Sequence, residues 1–365
     1  MIVGAVSIGV PIYAAFLGAS SLLVGIIGSA GGLIYCFLPF VSGKLCDRLN
    51  RKAMISASLL LYGCACVLYS LVDDVSLLVY VRILEWSSVA IFWPAVETLI
   101  ADSGAVKLED ALRKFNISWG SAMVIGPVIG GQLISGLSIK APFVFSAIVA
   151  FVFGALSLIV INEKGKAGNQ NTERKLTRKE PVKARYSLLP GLAAIFLFSS
   201  VGGILFTIFP AYATDLGIPA FEIGWITFAS SVTRVLAFHQ ANRVEARLGK
   251  RGMFLSSSLF LGLATLLTAG SGTFPLFTLC FAVFGVGAGL SYAASISYIL
   301  GRWESSRGHG AGVFESLIGV GYFVGPLIGG IVSQYATNAP YLFGLVLSVI
   351  VFCIQLLSKP KSSVE

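Results

Sequence analysis

The sequence predicts an all-α integral membrane protein: twelve transmembrane helices arranged as two pseudo-symmetric six-helix bundles. The 365 residues are 56% apolar and only 12% charged, with a mean hydropathy of +0.86, where ordinary soluble domains are about 45–50% apolar and about 25% charged. Apolar runs of about 20 residues, enough to cross a ~30 Å hydrocarbon core, recur twelve times. They centre near Val10, Gly31, Leu61, Ala90, Met123, Val152, Phe198, Thr227, Leu261, Val286, Tyr322 and Leu347. The chain also matches itself when slid by 199 positions without a gap. A bilayer core offers no water to backbone N–H and C=O groups, so each run must close its hydrogen bonds internally as a helix.

The self-match is carried by residues that apolar helices do not share by chance. Pro11 falls on Pro210, Tyr13 on Tyr212, Gly18 on Gly217, Gly25 on Gly224 and Arg48 on Arg247. The run Gly126, Pro127, Gly130, Gly131 falls on Gly325, Pro326, Gly329, Gly330. An even number of helices per copy gives both copies the same orientation. The expected domains are a first bundle over 1–162, a polar linker over 163–186 and a second bundle over 187–365.

Threaded from a cytoplasmic N-terminus, 23 of the 26 Lys and Arg fall in short loops, the linker or the tail on one side. That places both termini in the cytoplasm. Lys140 lies on the outside, while Arg82 and Arg234 lie within spans 4 and 8. The net charge of +9 is thus a topology signal beside apolar spans and not a nucleic-acid surface.

Taken in order, span 1 carries Pro11 and Tyr13. No charged leader or small-residue cleavage site precedes it, so it is a span and not a removable signal. It is expected to be short, because the first span of the second copy starts near Ser187, whose counterpart would precede Met1 by about 12 residues. A truncated chain, a late-assigned start and a tilted short helix all fit that.

Span 2 ends in "GKLCDRLNRK", which puts five charges (Lys44, Asp47, Arg48, Arg51, Lys52) into ten residues. The reading is a tight turn into span 3, with Gly43 allowing close backbone approach and the cations holding the loop at the membrane face. Asp47, an acid among cations, suits the positive N-terminal end of a facing helix. Cys64 and Cys66 on span 3 point to different faces, and all six cysteines sit in spans or beside the cytoplasm, so no disulfide or metal pair is expected.

Span 4, "VRILEWSSVAIFWPAVETLIAD", holds the ionisable residues. At 100° per residue Arg82, Glu85, Trp86, Trp93 and Glu97 share one stripe. Ionisable groups near the bilayer centre cost about 2.5–3.5 kcal/mol even on the mildest scale, so these face a partner or an aqueous cavity. Arg82 and Glu85, three residues apart, are placed to pair; Glu97, ~22 Å along the axis from Arg82, is not. The stripe reads as a proton-coupling or substrate site, with a purely structural ion pair as the simpler reading.

The two "GPxxGG" runs in spans 5 and 11 read as kinks at Pro127 and Pro326, with glycines allowing close helix approach. Arg234 in span 8 reads as a substrate contact or a brace for the 8/9 loop, where "NRVEARLGKR" repeats Arg247, Lys250 and Arg251. Glu315 reads as an interfacial acid without a special role. Tyr13, Trp86, Trp93, Phe206, Phe209 and Tyr212 suit the wall of a cavity for a moderately apolar ligand, or plain packing. Motifs for nucleotide phosphates and metalloprotease chemistry are absent from the sequence.

Over essentially the whole chain these features resemble the major facilitator superfamily of secondary transporters. "GKLCDRLNRK" is similar to that family's loop 2/3 signature, Gly-x-Leu-x-Asp-Arg-x-Gly-Arg-Lys, with Asn50 where Gly is usual. "GPxxGG" resembles a helix 5 signature of drug/proton antiporters, and Arg82 resembles the family's helix 4 arginine. The resemblance implies two bundles rocking about a midplane cavity, Asp47 facing the start of span 11, and no enzymatic activity or cofactor. The expected function is proton-coupled export of amphipathic compounds by a monomer in the plasma membrane. Uptake of a sugar or small metabolite, and a transporter-like sensor without flux, are the alternatives.

Overall fold

The computed structural model describes residues 1–46, 49–102, 108–161, 187–300 and 307–358, with backbone only at 101, 102, 108–117, 119, 297, 300 and 307–312. Asp47, Arg48 and the expected linker over 163–186 lie outside the described residues.

Spans 1 to 6 are the helices Ile2–Phe16, Ser21–Cys46, Arg51–Leu71, Leu78–Asp102, Leu108–Gly136 and Ala141–Val160. Span 7 is broken into Leu189–Gly203, a wide π-helical turn over Ile204–Ile208, and Phe209–Asp215. Pro210 lies just beyond that turn, where its ring and missing N–H disturb the regular ladder. Spans 8 and 9 run together in the helix Ala220–Ala269, which Gly249 breaks with φ 67° and ψ 176°. Spans 10 to 12 are Phe274–Leu300, Arg307–Val332 and Ala339–Leu357. Among the described residues nine helices are long and apolar enough to cross a membrane, beside the shorter apolar Ile2–Phe16 and Gly120–Gly136. Counting the broken helix twice, they make the twelve spans.

The 199-residue register survives in three dimensions. Gly18 and Gly217 both end their helices at φ +79°, a left-handed turn that suits glycine. At position 50 the first copy ends its loop with Asn50, whose side chain accepts from the Ala53 N–H and caps span 3. Its counterpart Gly249 instead breaks the helix with a positive φ. Asn and Gly are two solutions to one local problem.

The copies meet through glycines. A methyl on Gly25 would lie 2.8 Å from Gly330 Cα, and one on Gly224 would lie 2.7 Å from the Pro127 carbonyl oxygen. Residues 25 and 224 are equivalent, so spans 2 and 11 touch as spans 8 and 5 do. Within each copy Gly4 closes on Pro127 and Gly203 on Pro326. These contacts draw the helices together near the end of the molecule that carries Gly18, Asp73, Lys140 and Gly217, called here the Asp73 end; the opposite one is the Gly249 end.

Gly43 differs from expectation. It continues the second helix, and among the described residues nothing lies within 4 Å of where a Cβ would sit. The helix runs on to Cys46, so Gly43 is not the turn itself and makes no close backbone approach to any described residue. Large apolar side chains such as Phe16, Leu137, Ile159 and Val160 are exposed on the perimeter, as a lipid-facing surface requires.

Candidate functional site: a polar belt between the two halves

Span 4 buries an ion pair. Arg82 and Glu85 are 6% and 2% exposed, and the Arg82 Nη1 to Glu85 Oε2 distance is 2.7 Å. Tyr69 on span 3 donates its hydroxyl to the same carboxylate oxygen at 2.8 Å. The guanidinium lies 5.3 Å from the Trp86 ring centroid, a cation–π distance. Arg82 Nε, Trp86 Nε1 and the Tyr62 hydroxyl are buried with no hydrogen-bond partner among the described residues. Each such group costs free energy, so it calls for an explanation beyond packing.

Arg82 lines a gap of about 10 Å³, room for about one water, with Val10, Pro11 and Ala14 of span 1, Val24, Ile27 and Gly28 of span 2, and Thr207. Thr207 belongs to the wide turn of span 7 in the other half. The ion pair is therefore held wholly by the first half and looks onto the second through one polar side chain.

Trp86 continues the belt. It packs edge-on against Tyr35 of span 2 at 5.5 Å and against Tyr322 of span 11 at 5.9 Å, so aromatic rings from both halves meet there. Tyr35 then donates its hydroxyl to Glu315 Oε2 at 3.2 Å. Glu97 is exposed and lies within electrostatic reach of Tyr35, Tyr292 and Glu315. Arg234 acts likewise on Tyr292 and Tyr322.

The pairing of Arg82 with Glu85, and the separation of Glu97 from them, are as the helical spacing requires. Other readings need correction. Glu315 is a half-buried group bonded across the interface rather than a bystander. Arg234 sits about 22 Å along its helix from Gly249, too far to brace the 8/9 loop. Of the six aromatics expected to line a cavity, Trp86 is placed in the belt. Trp93 lines a separate cavity of about 270 Å³ inside the first half, with Phe92, Tyr62 and Met123.

Tyr13 is fully buried at the Asp73 end, stacked edge-on against Phe143 and bonded to the Val72 carbonyl and Asp73. Phe206 packs on Phe281 and Phe284, Phe209 on Phe277 and Phe281, and Tyr212 on Phe277 and Tyr341. These four are core or core edge, because helical periodicity marks a face without saying what covers it.

The Gly249-end loops hold themselves. Arg51 is buried and donates to the Cys46 carbonyl at 3.4 Å, and Lys44 lies over Phe40. Lys250 pairs with Glu245 at 2.8 Å, Arg251 donates to the Leu356 carbonyl, and Arg247 and Lys52 stand at the surface and half-buried. Gly126 and Gly130 approach Gly4 and Ala5, and Gly131 approaches Ala220 and Phe221. Gly325 and Gly329 approach Ser200 and Ile208.

Sequence reasoning passed over Tyr35, Tyr62, Tyr69, Thr207, Tyr292 and Tyr322. One signal was there: Tyr35 is the 199-residue counterpart of Arg234, so both copies place a polar group at that level.

The model of the Major Facilitator Superfamily matches this chain twice, over residues 1–214 and 191–364. The chain belongs to that superfamily. It is a multi-pass membrane transporter and not an enzyme. Among its relatives, Multidrug resistance protein 1 of Bacillus subtilis is 27% identical over 90% of this chain and 85% of its own. The quinolone resistance protein NorA of Staphylococcus aureus strain MRSA252 is 23% identical, over 96% and 90%. Among solved structures, the nucleoside transporter NupG superposes with a TM-score of 0.77 at 16% identity, covering 98% of this chain and 96% of that one. A bacterial homologue of the human lysosomal transporter Spinster, inward-facing and unoccupied, gives 0.74 at 13%, over 98% and 92%. At these identities the structures speak for the fold alone.

Proposed function

We propose that this superfamily member exports amphipathic organic compounds in exchange for protons, with Glu85 as the coupling acid. The observation that carries the proposal is the buried Arg82–Glu85–Tyr69 cluster beside the gap shared with Thr207. A carboxylate removed from water and held by one guanidinium and one hydroxyl depends on those contacts for its balance, which a change in either contact or in the local water upsets. Movement of the second half past Thr207 would make that change. Proton release and uptake then follow which side is open. The relatives named for multidrug and quinolone resistance support export of apolar or aromatic compounds, and the rings of Tyr35, Trp86 and Tyr322 offer such a ligand flat apolar contact.

In this reading residues 1–162 and 187–365 rock as two bodies joined by 163–186. The protein is a monomer in the plasma membrane with both termini cytoplasmic, so that the Gly249 end faces the cytoplasm. The contacts through Gly25, Gly131, Gly224 and Gly330 belong to the state closed on the outside. Asp47, beyond the described residues, is proposed to stabilise the opposite state at the start of span 11.

The test is flux of an amphipathic fluorescent dye in oriented proteoliposomes. Dye should move out of the cytoplasmic-equivalent compartment against its gradient when protons run the other way, and stop when the pH gradient is collapsed. Transport that ignores the pH gradient would indicate a facilitator, and movement only inwards an importer.

A further inference from the structure

Glu97 and Glu315 stand on opposite halves. Glu97 projects from span 4 of the first half, exposed, and Glu315 from span 11 of the second, half-buried at the bond to Tyr35. Both are within electrostatic reach of each other and of Tyr292. Toward the Asp73 end spans 2 and 11 are already in backbone contact. A methyl on Gly319 would lie 2.6 Å from the Cys36 amide nitrogen. Among the described residues the other interface is looser at this level: the counterpart of Gly319, Gly120 on span 5, has Val235 no nearer than 3.8 Å. The belt's Gly249 side is therefore where the halves have room left to approach, and closing that room brings Glu97 toward Glu315 and strips water from both.

We infer that Glu97 and Glu315 form a charge gate, in which the Gly249 end closes only when one of the two carboxylates carries a proton. Two carboxylates forced together without water cannot both stay ionised. Among the described residues the groups facing Glu315 do not remove the conflict. Span 2 presents Tyr35, with the thiol Cys36 beside Gly319, and span 10 presents Tyr292. Arg234 reaches from span 8 to Tyr292 and Tyr322. A proton on either carboxylate relieves the pair. The gate is separate from the Arg82–Glu85 pair, so it stands or falls independently of the coupling role proposed for Glu85.

The measurement is a distance between spin labels on single cysteines at Val41 and Leu248, both exposed near the Gly249 end and on different halves, in lipid nanodiscs across pH 5 to 9 with native cysteines replaced. In the parent, the ratio of short to long distances should rise as pH falls, by up to about tenfold per pH unit, the limit for one proton. Glu97→Gln and Glu315→Gln should each favour the short distance at every pH and flatten the dependence. The double variant should add little, since removing one charge is enough. Glu97 is exposed, so its replacement leaves packing intact and guards against a folding artefact at Glu315. Glu85→Gln should remove only the share of the slope that Glu85 itself adds, and Glu97→Gln should flatten what remains in that background. A parent without pH dependence, or the parental slope retained in both single variants, overturns the gate. Loss of gradient-driven flux in Glu85→Gln, with Glu97→Gln still flattening the slope of that variant, would uphold both proposals, and intact flux with the same flattening would uphold this one alone.

Discussion

The two halves are alike where they touch and unlike where they carry charge. Gly25 and Gly224, Gly131 and Gly330, and Pro127 and Pro326 occupy equivalent places and make equivalent contacts, and Gly18 and Gly217 share a left-handed turn. At the ion pair the likeness ends. Arg82, Glu85 and Tyr69 of the first half correspond to Phe281, Phe284 and Thr268 of the second. The two phenylalanines are packed with Phe206 in the core of the second half. Duplication has kept what two moving bodies need in common, which is close backbone approach and hinges. The buried ion pair belongs to one body, while the other faces it with aromatic rings and with Thr207, Arg234 and Glu315.

The sharpest way to break that contrast is to unbalance the ion pair. Arg82→Met leaves a buried carboxylate unpaired, and loss of one partner of a buried pair typically costs about 3–5 kcal/mol. Thermal unfolding in detergent at neutral pH should show a large loss. Arg82→Met combined with Glu85→Gln should recover most of it. If the double variant is as unstable as the single, the cluster is held by packing and not by charge.

The symmetric part predicts paired effects of intermediate size. Gly25→Ala sets a methyl against the Pro326 carbonyl, and Gly224→Ala sets one against the Pro127 carbonyl. Overpacking of this kind costs about 1–3 kcal/mol, and ~1.4 kcal/mol changes a two-state ratio tenfold. A cysteine at Ser20, beside the start of span 2, should react several-fold faster with a membrane-impermeant thiol reagent in both variants. A response in one and none in the other would mean that the two interfaces are not equivalent.

How far the sequence could be read follows the same division. Proline and glycine in a shared register, and runs long enough to span, reported the twelve helices, because backbone constraints are local and repeat. Arg82 and Glu85 were legible as a pair because i,i+3 spacing on a helix is itself geometry. Tyr69 and Tyr35 were not, since their partners lie on other helices and an aromatic in a span carries no mark of its neighbour. For the same reason the sequence could not choose between cavity wall and packing for Tyr13, Phe206, Phe209 and Tyr212. Gly43 was misread because a glycine before a loop suggested the turn itself, while the helix continues to Cys46.

The smallest effect is expected at the Asp73 end. There Lys140 donates to Asp73 Oδ1 at 2.6 Å and Tyr13 adds a bond at 3.0 Å, joining spans 1, 3 and 6 of the first half only. The second half has Gly272 and Ala339 at those positions. Lys140 first, then Tyr13, hold the Asp73 carboxyl below its usual range. The tie therefore contributes fully above the ordinary carboxylate pKa and is lost as pH falls through the lowered value. Because the pair is exposed, Asp73→Asn should shift the melting temperature only slightly at neutral pH, and not at all once the carboxyl is protonated in the parent. A shift that persists at low pH would show that the hydrogen bonds matter without the charge.

The central claim is that the first half alone holds the coupling acid, and the direct measurement compares Glu85→Gln with the parent in proteoliposomes in two modes. In equilibrium exchange, with dye on both sides and no pH gradient, the variant should retain most of the parent's rate, since the halves still rock. Under an imposed pH gradient the parent should accumulate dye and the variant should only equilibrate it. Gradient-driven accumulation by Glu85→Gln at the parent's level would contradict the claim and move the coupling site elsewhere in the belt.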